Sequence, residues 1–207
     1  MTEKELNTEQ KILDAAKEVF QKKGMTGTRM QEIADKAGIN KALLHYYYRS
    51  KEKLFRRVFE IAFALFIPRI KEMLFSDKPI LEKIDYFVDS YIELLQKHPY
   101  IPGFIINELN RNPEILVDIV EKNILIKQDH LIDNLEGQIN QGIERGQIKP
   151  VEVRNLLINI LALCVFPVVA RPVVQGILFD NDPEGYERFL AQRKDFVKEF
   201  VKNAIKP

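Results

Sequence analysis

Apolar residues recur along this chain at intervals of three and four almost from end to end, and nothing in it reads as a sheet. That rhythm predicts helices throughout. Ile12, Ala16, Val19 and Phe20 form the inner stripe of a first helix, expected from Glu9, capped by Thr8, to Lys23, with Gly24 ending it. Met30, Ile33, Ala34 and Ala37 mark a second; Thr28 suits its N-cap, and Gln31 three residues on completes a capping-box pattern. Gly38 can enter the left-handed region and turn the chain sharply. Asn40 then caps a third helix, whose first turn exposes Lys41 and Ala42 while Leu44 points inward. A fourth starts at the cap Ser50, with Glu52 favoured in its first turn by the helix dipole. It carries Leu54, Phe55, Val58, Ala62 and Leu65 inward and is expected to run unbroken past a kink at Pro68 toward Phe75.

The pattern continues with Pro79 at the first position of a fifth helix, striped by Leu81, Ile84, Phe87, Val88, Tyr91 and Leu95 and broken by His98–Pro99. A short sixth holds Phe104, Ile105 and Leu109. Asn112–Pro113–Glu114 opens a seventh that runs to the Gly142–Gly146 region. The eighth begins near Pro150 and is apolar almost all round; the ninth runs from Pro183 to about Ile205, with Tyr186, Phe189, Leu190, Phe196, Val197, Phe200, Val201 and Ala204 on one face. The chain is therefore expected to be all-α, with about nine helices. A helix apolar all round must be covered on every side. The eighth is either the centre of a monomer or, with the ninth, half of a four-helix interface across a two-fold axis.

A short helix, a glycine-bearing turn and a second helix make a helix-turn-helix, whose second helix enters the DNA major groove. The segment NKALLHYYYRSKEKLF resembles the signature of the tetracycline-repressor (TetR) family: Ser-Lys, two small residues, Leu, an aromatic run, then Ser-Lys-Glu and Leu. Upstream, ILDAAKEVFQKKGMTGTRMQEIADKAGI is similar to that family's first two helices, so the resemblance covers roughly residues 9 to 60. Asn40 stands in place of the common Ser, Leu43 in place of a small or hydroxyl residue, and His45 at a frequent Tyr position. The resemblance implies a helix-turn-helix DNA-binding domain over residues 1–50 and a helical ligand-binding and dimerisation domain over 51–207. It implies a homodimer paired through the eighth and ninth helices on a palindromic double-stranded operator, acting as a repressor released by a small lipophilic ligand. The alternatives are an activator, or a protein-interaction module with no small-molecule inducer.

Charge agrees with that polarity. Residues 1–57 hold 13 Lys/Arg against 8 Asp/Glu, a balance of +5, while the remainder carries −4. A basic end facing phosphates fits a nucleic-acid partner. Lys41 and Lys51 flank the recognition helix and suit phosphate contact. Thr28 can offer a phosphate its hydroxyl or neighbouring amides. Arg29 reaches a base edge, a phosphate or the minor groove. Leu44 and Tyr48, four apart, pack inward; the resemblance puts His45 and Tyr47 on phosphates and leaves Tyr46 to either role. Ala42 and Leu43 suit a thymine methyl. In the larger region, Phe63, Phe66, Phe87, Tyr91, Phe104 and Phe166 are candidates for a lipophilic pocket with Glu108 as a polar spot, or for plain core.

Other chemistries find little support. His45, His98 and His130 are far apart and form no metal-ligand or dyad spacing, so neither an enzyme nor a cofactor or metal is expected. Cys164, the single cysteine, excludes an intrachain disulfide and suits a reducing cytoplasm. The polar, acidic start is not a signal peptide. The longest uncharged run, 16 residues between Arg154 and Arg171, is shorter than the ~20 a membrane span needs and includes Pro167.

Overall fold

The computed structural model describes residues 3–111, 113–124 and 131–207. They form twelve α-helices, with no strand among the described residues: α1 (Glu3–Gly27), α2 (Met30–Ala37), α3 (Lys41–Tyr47), α4 (Lys51–Ala64), α5 (Ile67–Phe75), α6 (Ile80–Lys97), α7 (Ile101–Arg111), α8 (Pro113–Ile124), α9 (Leu131–Glu144), α10 (Val153–Val169), α11 (Arg171–Leu178) and α12 (Pro183–Ile205). Two compact units result: Met1–Leu65 with Gly103–Ile119, and Phe66–Pro102 with Val120–Pro207. Helix α4 packs on α1 and lies in the first unit.

In the first unit the apolar stripe of α1 meets α2 and α4. Ile12, Ala16, Phe20, Ile33, Ala34, Leu44, Leu54 and Phe55 are all fully buried. Phe20 meets Phe55 edge-on, with centroids 5.0 Å apart. Phe104 of α7 closes on Phe55 at 5.7 Å and on Phe59 at 5.6 Å. Arg56 of α4 pairs with Asp118 of α8.

The second unit packs α6 against α5, α10 and α12, with α9 on α5 and α10. Phe87 stacks on Tyr91 at 4.9 Å and Phe66 leans on Tyr91 at 5.4 Å. Lys83 is completely buried; its ammonium donates to Gln138 Oε1 at 2.6 Å, joining α6 to α9. Desolvation depresses its pKa. Burial pushes the Cys164 thiol up to about 12, so it behaves as a small hydrophobe. Along α10, Pro167 has no N–H to give the carbonyl of Leu163 four residues back. Arg193 of α12 supplies the missing donor twice, from Nη2 at 2.9 Å and Nε at 3.2 Å. Its guanidinium also lies over Phe189 and Phe196. Tyr186 donates to the carbonyl of Pro167 itself at 3.0 Å.

Two of the expected helices are divided and a third is described in two parts, which accounts for twelve described helices against nine expected. The fourth does not run through Pro68. It stops at Ala64, the chain turns at Leu65–Phe66, and Pro68 sits in the first turn of α5, where its missing N–H costs nothing. The seventh is described as α8 and α9, with residues 125–130, and with them His130, outside the described residues. The eighth ends at Val169, and α11 leaves at 76° behind Pro172. No single helix among the described residues is long and apolar enough to cross a membrane. Helix α1 begins at Glu3 rather than at a Thr8 cap, and it breaks at Gly24, as expected, before one further turn. Pro79 is the N-cap of α6 rather than its first residue.

Removing the Arg193 guanidinium leaves a carbonyl in α10 without its donors. Arg193→Ala should cost about 1–3 kcal/mol. Pro167→Ala in that background should recover part of the loss, because an alanine N–H can serve Leu163 directly. Urea unfolding of the two single variants and the double variant checks the coupling.

Candidate nucleic-acid interface

Helices α2 and α3 owe their relative setting to short-range backbone chemistry. Gly38 takes the left-handed conformation (φ 68°, ψ 32°), and its N–H and that of Ile39 close onto Asp35 and Ala34 carbonyls at 3.2 and 3.0 Å. A side chain with a Cβ is disfavoured at such a φ. Two residues later Asn40 caps α3, its Oδ1 accepting from the Leu43 amide at 2.8 Å. Ser50 does the same for α4 through the Lys53 amide at 3.2 Å. Both caps stand where the sequence puts them.

The entry to α2 is built differently. Arg29, not Thr28, is the N-cap residue, and no side chain caps it. Thr28 is buried and its hydroxyl donates backward to the Gly24 carbonyl at 2.7 Å. Gln31 reaches along the exposed surface to Asp35 at 2.7 Å, so the capping-box pattern is not used. The α1 helix runs on to Gly27, which leaves Thr28 in the corner with the Gly24 carbonyl behind it as acceptor.

Helix α3 has an anchored side and an open side. Leu44 is fully buried and Tyr48 nearly so. The Tyr48 hydroxyl donates to Glu9 Oε1 at 2.8 Å; burial and then Glu9 raise its pKa. On the open side Lys41, Ala42, Leu43, His45 and Tyr46 are exposed, Tyr46 to 75 %. Arg29 is exposed beside α2. These six are brought to the surface of one small unit. Two other candidates are tied down. Tyr47, against which Tyr46 rests edge-on, donates its hydroxyl to the Glu5 carbonyl at 3.3 Å. Lys51 donates to the Thr28 carbonyl at 3.1 Å. An ammonium has two further donors, so Lys51 can still meet a phosphate. Lys23 and Lys36 face Glu32 and Glu18 at 2.8 Å and are engaged within the protein. Arg49 and Lys53, which the sequence reading passed over, are exposed on either side of the Ser50 cap; their place beside that cap was a signal to look.

The residues expected to line one pocket divide between the two units. Phe63, Phe104 and Glu108 belong to the first unit, and Phe66, Phe87 and Tyr91 to the second. Phe166 is 64 % exposed on α10, because Cys164 and Pro167 take the inward positions there. Glu108 is directed at the break in α1, accepting from the Met25 amide at 3.3 Å.

A short helix, a glycine turn and an outward-facing second helix are the arrangement of a helix-turn-helix. Residues 12–58 match the family described as bacterial regulatory proteins, tetR family. The HTH-type transcriptional regulator RutR of Escherichia coli K12 is 24% identical over 196 residues, covering 95% of this chain and 89% of that one. The HTH-type transcriptional repressor NicS of Pseudomonas putida is 46% identical over 59 residues, 28% of each chain. Among solved structures, a TetR family transcription regulator from Marinobacter aquaeolei VT8 shares the fold, with a TM-score of 0.65 and 20% identity over 99% of this chain and 98% of the other. Residues 12–58 thus carry the DNA-binding region of TetR-family regulators, and over nearly its whole length the chain is similar to HTH-type transcriptional regulators.

The two ends of α3 and α2 make opposite demands on stability. Asn40→Ala should cost about 1 kcal/mol through loss of its cap. Gln31→Ala should stay within about 0.5 kcal/mol, as at an ordinary surface position. Thermal melts of the two variants read the difference, and equal losses would restore the capping box.

Proposed function

We propose that this regulator is a homodimeric repressor that grips a palindromic operator with two copies of α3 and releases it when a small lipophilic molecule occupies the second unit. The observation that carries this reading is the open side of α3: Lys41, Ala42, Leu43, His45 and Tyr46 are exposed while Leu44 and Tyr48 fix the helix from behind. Lys41 and Lys51 hold phosphates and set register; Ala42, Leu43 and Tyr46 approach base edges. The same reading makes the chain a binding protein, not an enzyme, working in the cytoplasm. Its repressor character draws support from the likeness of its head to that of NicS.

A two-fold partner is the natural cover for α10 and α12. Ile158 and Phe166 are 63 % and 64 % exposed on α10, and Phe196 and Phe200 are 54 % and 53 % exposed on α12. A groove of ≈ 550 Å³ runs between them, bounded by Leu156, Leu163, Phe200 and Val201. An isologous contact places this surface against itself. Phe200→Glu should then convert the dimer to a monomer in sedimentation velocity and weaken operator binding. A variant sedimenting as the wild type does would sink the interface.

Release by a ligand needs unequal affinity for the DNA-competent and DNA-incompetent arrangements. The rings of Phe66, Phe87 and Tyr91 rest on one another, so an effector enters among them by parting the stack. Selection of duplexes from a random pool tests the whole reading: a palindrome should emerge with the wild-type chain. Each of Lys41→Ala and Lys51→Ala should then lower the slope of log affinity against log salt by about 1. Salt-sensitive binding with no enriched sequence would favour a protein-interaction module instead.

A further inference from the structure

Glu108 is 2 % exposed, an unusual place for a carboxylate. It lies in the first unit, on α7, where the helix faces the break in α1. Gly24 there has φ 67° and ψ 178°, a conformation essentially restricted to glycine. The Met25 amide follows directly on that break. Glu108 Oε1 supplies an acceptor for it at 3.3 Å. The fit is close: a Cβ on Gly24 would come within 3.1 Å of Glu108 Oε1 and 3.3 Å of Arg111 Nη1.

The corner so fixed passes directly to the reading elements. The Gly24 carbonyl receives the Thr28 hydroxyl at 2.7 Å, and the Thr28 carbonyl receives the Lys51 ammonium at 3.1 Å. Thr28 precedes α2 by two residues and Lys51 opens α4. A single hydrogen-bonded line thus runs from α7 through the bend of α1 to the starts of the two helices that bracket α3.

We propose that Glu108 is a positioning residue for DNA binding: it holds the α1–α2 corner, and with it α3, in the geometry the operator requires. The role needs the reach of the side chain and not its charge. It also opposes simple electrostatics, since removing a carboxylate from a basic DNA-binding unit strengthens attraction to phosphates. The inference rests on the DNA-binding reading above, and the experiment separates the two.

Glu108→Gln keeps an acceptor oxygen at the same distance and loses the charge, whereas Glu108→Asp keeps the charge and withdraws it by one methylene. Affinity is measured by fluorescence anisotropy on a duplex enriched by the wild-type chain from a random pool, with amide exchange followed over residues 25–28 in the DNA-free protein. Glu108→Gln should bind within about twofold of the wild type. Glu108→Asp should bind about tenfold more weakly, the scale of one lost hydrogen bond, and exchange faster at Met25. The reverse order of affinities, or an Asp variant equal to wild type in both readouts, would overturn the role. If the wild type enriches no duplex, the operator reading fails, and amide exchange at Met25 alone then decides: faster in Asp than in Gln upholds Glu108 as the clasp of the corner, and equal rates overturn it.

Discussion

The contact on which the DNA-reading unit depends is the edge-on meeting of Phe20 and Phe55, with Phe104 closing the third side. Phe20 belongs to α1, Phe55 to α4 and Phe104 to α7, so one cluster of rings joins three segments remote in sequence. Each ring brings a large apolar area and a preferred angle, which fixes direction as well as distance. Helix α3 has only seven residues and too few hydrogen bonds to persist in isolation. It exists because Leu44 and Tyr48 are received by the frame that those rings hold together.

Local chemistry was the legible part of this chain. Asn40 and Ser50 cap their helices through an amide three residues away, and Gly38 turns the chain by its own conformation, so each could be read from a short window. Thr28 shows the limit of the same rule. The pattern of a capping box is present, yet the hydroxyl turns back to Gly24 because α1 extends three residues beyond its bend. The kink expected at Pro68 in an unbroken helix is instead a break at Leu65–Phe66, for a related cause: a proline is accepted at a helix start as readily as it kinks a helix interior.

What lay beyond reading was every partnership between distant positions. Glu108 and Met25 are 83 residues apart, and a lone glutamate on a short helix gives no sign of an amide waiting for it. Tyr48 and Glu9 are separated by 39 residues. Apolar character alone placed Phe166 inside, but along α10 nearly every residue is apolar, so composition cannot say which side faces in. Only the packing of α6, α9 and α12 decides that, and it selects Leu156, Ile160 and Cys164.

The proline in α10 and the arginine that serves it carry a consequence for how this sequence can drift. Arg193 tolerates the disappearance of Pro167, since a restored backbone donor merely shares the Leu163 carbonyl with it. Pro167 does not tolerate the disappearance of Arg193. The two positions therefore have an allowed order of replacement, proline first and arginine second, and the opposite path crosses a less stable intermediate. Descendants of this chain should keep the pair together, or keep the arginine alone, and should seldom keep the proline without it.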